Sequence, residues 1–298
     1  MTRAALLATA ALALLTGGCG GASTSVDQPR SSRLVDFSKK PPWVNSLDVD
    51  PRSGEFLLTT NRGFFRIARD GDSVRRVDAA IAARGERSPL GTFLALLAAG
   101  DRRLIGSGHP DRQGALPSFL GFISSADGGR TWRVVSRLGD ADLHKLVLAH
   151  GRLYAFDAVL SALLISRDGG RTFSESFTPR GLIIDFEVDP ADAGRIVASN
   201  DGELFRSTDT GATWRPIDRR PGIRLAWPAR DALYRALKDG TVQRSANGGD
   251  TWQDAASVGG EPYKFKAIGR DELYLALSDG TIMHTSDAAK TWKAAFRP

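Results

Sequence analysis

Four histidines, at 109, 144, 150 and 284, and one cysteine, Cys19, are the side chains best suited to ligand or nucleophile chemistry in this 298-residue chain. Two of the histidines stand near carboxylates. SGHPD carries His109 and Asp111 two residues apart. In DLHKLVLAHGRLYAFDA, a turn at His150-Gly151 sets Ala149 opposite Arg152, and continuing that register makes His144 and Asp157 cross-strand neighbours. Two imidazoles and two carboxylates suit a divalent cation or a polar ligand. The alternative is a solvated His–Asp pair beside an unrelated loop. Thiol catalysis and Cys/His zinc sites are excluded by the scarcity of cysteine and histidine. No nucleophile–base pair, phosphate-cradling glycine loop or metal-ligand spacing appears elsewhere. No catalytic residue, metal or cofactor is therefore assigned. His109, Asp111, His144 and Asp157 are the candidate ligand-binding set.

The elements that must position these residues are set by a repeat. SADGGRTW (125–132) is followed by SRDGGRTF (166–173), STDTGATW (207–214), SANGGDTW (245–252) and TSDAAKTW (285–292). The closing aromatics fall at 132, 173, 214, 252 and 292, in steps of 41, 41, 38 and 40 residues. A decayed copy, ARDGDSV, lies upstream at 68–74. A fixed period near 40 marks a repeat architecture. Each period reads as four short apolar runs separated by Gly, Asp and Pro turns, which is an antiparallel four-stranded meander. Six such units fit between residue 44 and the end, predicting an all-β propeller of six blades. A seventh would use SRLVDF, within 32–43, as a strand.

The box S-x-D-x-G-x-T-W resembles the Asp-box, or BNR repeat, of sialidases and many other propellers. The order GSGHPD, SSADGGRTW, DLHKL, LYAFDA, SRDGGRTF is similar to bacterial propeller lipoproteins described as glycosyl-hydrolase-like or exo-sialidase-like, over most of 44–215. That resemblance implies a propeller fold and an extracytoplasmic location. It also brings sialidase-like hydrolysis, and scaffolding of membrane-protein assembly as in related photosystem factors, into consideration. A sialidase-type site needs an arginine cluster, a tyrosine nucleophile and an acid carboxyl. Tyr154, Tyr234 and Tyr274 share one second-strand slot, which argues for packing, and only Tyr263 lies elsewhere. FRIA (65–68) resembles the sialidase FRIP signature but leads into the decayed box, in a third strand, where that signature does not belong. WVNS (43–46) lacks the histidines that open blade one in the lipoproteins resembled.

The boxes themselves read as structure. A carboxylate in a tight turn accepts hydrogen bonds from its own loop, glycine supplies positive φ, and the aromatic starts the fourth strand. The pairs Asp127 and Trp132, Asp168 and Phe173, Asp209 and Trp214, Asn247 and Trp252, and Asp287 and Trp292 are assigned this role, because an active site rarely needs five copies. Antiparallel connectivity then puts every box on one face. The inserted segments 81–91 and 107–119 lie on the other, where binding residues concentrate on long loops. First-strand starts Asn45, Asp185, Arg224 and Lys264 would edge the central channel.

At the amino end, a short basic start precedes the apolar run 4–16 and then TGGC, ending at Cys19. This pattern reads as a lipoprotein-type signal over 1–18, with Cys19 as the lipidation site and 19–43 as a tether before the propeller of 44–298. An ordinary secretory signal, giving a secreted or periplasmic protein, is the alternative. The single cysteine leaves stability to packing. The net charge of +6 is spread in isolated pairs such as Arg75-Arg76 and Arg219-Arg220. Such scatter is weak evidence for nucleic acid and reads as a solvated surface, with attraction to anionic cell-surface polymers as the functional alternative. The expectation is a monomeric, extracytoplasmic, lipid-anchored propeller that binds a ligand, glycan or protein partner through the face opposite the boxes.

Overall fold

The computed structural model describes residues 43–111, 116–220 and 224–298. The segment expected as a signal over 1–18, Cys19, the expected tether up to residue 42 and the stretch SRLVDF, considered as a further strand, lie outside the described residues. What is described is all β, in 25 strands.

The first sheet is β1 (Val44–Val49), β2 (Phe56–Thr60), β3 (Gly63–Ile67) and β4 (Val74–Val77), paired in that order. The second unit holds β5 (Ala80–Ala83), β6 (Glu86–Ala98), β7 (Leu104–Pro110), β8 (Phe122–Ser125) and β9 (Thr131–Ser136). The third sheet is β10 (Leu143–Ala149), β11 (Arg152–Asp157), β12 (Ala162–Ser166) and β13 (Ser174–Ser176). The fourth is β14 (Asp185–Val188), β15 (Ile196–Ser199), β16 (Leu204–Ser207) and β17 (Arg215–Asp218). The fifth is β18 (Arg224–Ala229), β19 (Ala232–Ala236), β20 (Val242–Ser245) and β21 (Gln253–Asp254), and the last β22 (Pro262–Ala267), β23 (Leu273–Leu277), β24 (Ile282–Thr285) and β25 (Lys293–Phe296).

Five of these units are the expected four-stranded meanders. The second is not, so the expected six four-stranded blades are corrected to five. In the second unit β5 hairpins onto the long β6 and also runs parallel to β9, Ile81 beside Trp132, closing the five strands into a barrel. The segment 81–91, expected as a loop, is therefore a hairpin turning at Arg84 and Gly85, with φ of 51° and 81°. Positive φ at both central residues is the twist-matched hairpin turn, but Arg-Gly is not its usual Asn-Gly or Asp-Gly signal.

The innermost strands β1, β6, β10, β14, β18 and β22 pack against one another in a closed ring. Apolar side chains fill each gap between neighbouring units. Phe56, Phe65 and Tyr274 sit between the last sheet and the first, and Phe64, Phe93 and Trp132 between the first and second. Among the described residues, no strand is exchanged between the first and last sheets to close the circle. Side chains do that instead: Phe56 meets the Tyr274 ring edge-on at 5.1 Å, and Arg69 pairs with Glu272 at 2.7 Å.

The boxes form one hydrogen-bonded turn repeated five times. In the first, Ser125 Oγ donates to Asp127 Oδ1 at 2.8 Å and accepts from Gly129 N at 3.0 Å, while Thr131 N donates to Asp127 Oδ1 at 2.9 Å. Asp168, Asp209, Asn247 and Asp287 accept the equivalent Thr N–H at 2.8–3.0 Å. In the boxes of Asp168, Asp209 and Asp287 these bonds lower the carboxyl pKa, first through the threonine hydroxyl, so that Asp209 is held at about 2. Asn247 keeps the oxygen that accepts, which is why amide replaces acid there without losing the turn.

Candidate functional site

Antiparallel pairing leads each chain segment from the face opposite the boxes, along the inner strand, to the box face and back. His144 at the start of β10 and the β7–β8 segment carrying His109 therefore share the face away from the boxes. β6 and β7 bring the two inserted segments together there, with Thr92 opposite His109 and Asp111 N donating to Pro89 O at 3.2 Å.

The hairpin of β10 and β11 follows the expected register from Ala149–Arg152 to Lys145–Phe156 and then slips. A bulge at His144 puts Leu143, not His144, opposite Asp157. A bulge inserts one unpaired residue and re-aims its side chain. Here the bulge turns His144 toward Asp142, whose Oδ2 lies 3.0 Å from Nε2. Asp157 is fully buried, and its Oδ1 accepts from the backbone N–H groups of Asp142 at 3.1 Å and Val159 at 3.0 Å. It thus positions Asp142 and offers no ligand contact from the surface. Asp111 is exposed and outside the cluster.

The residue the sequence reading missed is Asp142. Its Oδ1 lies 3.6 Å from His109 Nε2, so two histidines 35 residues apart in sequence converge on one carboxylate. The signal was its place two residues before His144, hidden by assuming an unbroken register. His109 Nδ1 lies 2.7 Å from Ser118 O. A carbonyl only accepts, so Nδ1 holds the proton and Nε2 faces the carboxylate. His144 donates Nε2–H to Asp142, leaving Nδ1 as an acceptor for an incoming hydroxyl or amide. Among the described residues no group of three ligating side chains fit for a metal ion occurs.

His144 also lines a cavity of about 290 Å³ inside the ring of inner strands, together with Asn45, Lys145, Asp185, Glu187 and Lys264. Neighbouring inner strands share no backbone ladder, so side chains staple them. Ser46 Oγ exchanges hydrogen bonds with Leu96 O and N at 2.9 and 3.2 Å, and Asp48 Oδ2 accepts from Ala98 N at 2.8 Å. Ser107 Oγ takes Leu143 N, and Asp185 Oδ2 takes Leu225 N at 3.0 Å. Lys145 reaches Asp185 at 2.6 Å and Glu187 at 3.0 Å, and Lys266 reaches Asp48 at 2.8 Å. Arg224 lies over the Tyr263 ring at 5.3 Å. Burial opposes the Lys145 charge, but its two carboxylates outweigh burial and raise the ammonium pKa. Burial raises the Glu187 carboxyl, with Lys145 opposing.

The tyrosine slot is core. Tyr154, Tyr234 and Tyr274 are buried, and the first two donate to Ala193 O and Arg270 O of the next sheet at 3.4 and 3.1 Å.

No family model matches the chain. A dispase autolysis-inducing protein of Streptomyces mobaraensis is 32% identical over 96 residues, a stretch covering 32% of this chain and 25% of that protein. The alignment therefore spans about a quarter of the relative's length. Among solved structures, YCF48 from Cyanidioschyzon merolae matches over 85% of both chains with a TM-score of 0.51 at 13% identity. The extracellular domain of a one-component system of B. thetaiotaomicron matches over 84% of this chain and 39% of that one, with a TM-score of 0.52 at 12% identity. An ancestral GH74 enzyme matches over 82% and 36%, with a TM-score of 0.54 at 13% identity. With so little identity behind them, these likenesses show that the chain folds as a β-propeller.

Proposed function

We propose that this chain is an extracytoplasmic ligand-binding propeller, anchored by lipid on Cys19 after removal of a signal over 1–18, with 19–43 as tether and 44–298 as the binding domain. It recognises a glycan or another polar partner through the face opposite the boxes. The observation that carries this reading is the convergence of His109 and His144 on Asp142 at the lip of the channel cavity. Buried Asp157 and the Ser118 carbonyl fix that group's geometry, while the histidine edges stay accessible, which is the preorganisation a binding site needs.

Binding is favoured over glycoside hydrolysis by the state of the channel carboxylates. A glycosidase places two carboxyl groups about 5–9 Å apart with the scissile bond between them. Asp185 and Glu187 instead share one lysine, whose ammonium occupies the space between them. The extracellular setting of the one-component-system domain agrees with the amino-terminal pattern, and assembly scaffolding of a membrane partner is the reading next in line.

Two measurements test the proposal. Full-length protein is screened against arrayed cell-wall and cell-surface glycans, alongside His109→Ala, His144→Ala and Asp142→Asn. A ligand lost by all three variants, with folding intact, supports the site. Binding untouched by any of them, or turnover of fluorogenic glycosides, rejects it. Radiolabelled palmitate must label the wild type and not Cys19→Ser, and an unlabelled wild type beside a labelled control lipoprotein rejects the anchor.

A further inference from the structure

The channel holds an uncompensated charge. Among the described residues, three cations, Lys145, Lys264 and Lys266, and two carboxylates, Asp185 and Glu187, line the cavity, with Asp48 against Lys266 and Arg224 near Lys264 just beyond. The carboxylates are already engaged: Asp185 and Glu187 by Lys145, Asp48 by Lys266. Among the described residues, neither Lys264 nor Arg224 has a carboxylate within ion-pair distance. The buried Nε of Arg224 also lacks a hydrogen-bond partner. Of these two, Lys264 is the one that lines the cavity.

An unpaired ammonium enclosed by protein is costly unless a counter-charge arrives. Its environment shows that cost: burial first, then the neighbouring Arg224 charge, lowers the Lys264 ammonium to about 8, against a partial pull from Asp185. Sequence position supports a cavity role too. Lys264 is set opposite Ala276 on an inner strand, where a structural residue would reach the next strand as Ser46 and Lys145 do.

We propose that the channel cavity binds a small organic monocarboxylate, its carboxylate seated on the Lys264 ammonium and its remaining groups directed toward His144. One negative charge balances the one surplus cation. A phosphate dianion would bring a second charge against Asp185 and Glu187. The cavity volume of about 290 Å³ lies at the small end of ligand pockets. Leu97, Leu148 and Trp227 contribute to the lining and offer apolar contact to the ligand body. The proposal rests on reading this face as a ligand site, and it names the chemical class of what enters.

The experiment is calorimetric titration of the full-length protein with lactate, benzoate and glucuronate. Lactamide, benzamide and glucose serve as uncharged counterparts, and inorganic phosphate as the competing anion. At least one carboxylate binds, and its neutral counterpart and phosphate bind at least tenfold more weakly. From pH 7 to pH 9 the affinity falls about tenfold, as a cation titrating near 8 requires. The groups facing that cation are Arg224, Lys145 and Asp185, with Lys266, Asp48 and Glu187 beyond. Lys264→Met removes binding and Lys264→Arg retains part of it. In the wild type, the titration midpoint of the Lys264 side-chain carbon resonance rises when the bound carboxylate is present. That readout decides the question even if Lys264→Met does not fold. Failure of all three carboxylates, equal binding of the amides or of phosphate, undiminished binding by Lys264→Met, or an unmoved midpoint overturns the proposal. Glycan binding that depends on His109 but survives without any carboxylate binding removes this inference alone. Carboxylate binding without glycan recognition removes the broader reading alone.

Discussion

Adjacent glycines in the second box separate two physical effects within one turn. Gly169 and Gly170 have φ of +76° and +85°. A Cβ at Gly169 meets nothing within 4 Å, whereas one at Gly170 would stand 2.0 Å from Phe122 Cε1 and 2.3 Å from Cδ1. Phe122 belongs to the preceding unit, is 1% exposed, and packs edge-on to Phe173 at 6.0 Å, so it has little room to yield. Gly169→Ala therefore carries only the left-handed backbone strain of an L-residue, about 1–2 kcal/mol. Gly170→Ala carries the same strain plus overpacking worth about 1–3 kcal/mol. For a propeller of this size, that difference corresponds to roughly 2–12 °C in Tm. Urea unfolding with unchanged m-values, together with thermal melts, measures both variants. Equal losses for the two would refute the claim that the box glycine is required for contact between units rather than for turn geometry alone. Phe122→Leu in the Gly170→Ala background should recover part of the difference and gain nothing in the Gly169→Ala background.

Two further outcomes follow from the same geometry. Threonine hydroxyl and backbone bonds hold Asp209 at about 2, below its unfolded value near 3.9. A depressed carboxyl stabilises the fold above the unfolded pKa and loses that contribution as pH falls from about 4 to about 2. Asp209→Asn, which imitates Asn247, should flatten that acid limb in a Tm-versus-pH series, and an unchanged limb counts against the network. Arg235 is fully buried, 2.5 Å from Asp218 Oδ2 at an angle outside hydrogen-bond geometry, bonded to Gln243 Oε1 at 2.7 Å, and stacked 4.1 Å over Trp252. Asp218→Ala strands that charge and should cost about 3–5 kcal/mol. Asp218→Leu with Arg235→Met should cost markedly less in the same denaturant titration, and a double variant as weak as Asp218→Ala would show that the pair itself is stabilising.

The chain's periodicity was enough to read the repeat, the strand order within a meander, and the structural nature of the boxes. All three depend on contacts within about ten residues. Ser125, Asp127, Gly129 and Thr131 satisfy one another inside a single turn, and their spacing alone specifies it. The second unit resisted because its departure is long-range. β5 pairs with β9, some fifty residues later, and nothing in AIAARGERSPL announces a parallel partner. The site resisted for a smaller reason. The hairpin register predicted five pairs correctly, and one bulge at His144 then exchanged Asp157 for Asp142 as the partner.

Sequence by itself therefore determined the all-β repeat, its period and the face that carries the boxes, because turn chemistry and alternation act locally. Tertiary structure alone decided which charges meet. His109 and His144 reach one carboxylate only because β7 and β10 are brought side by side. Among the described residues Lys264 is left without a carboxylate because Lys145, from another sheet, has already claimed Asp185 and Glu187. Such pairings depend on the closure of a ring of six inner strands, and ring closure is written in no single repeat.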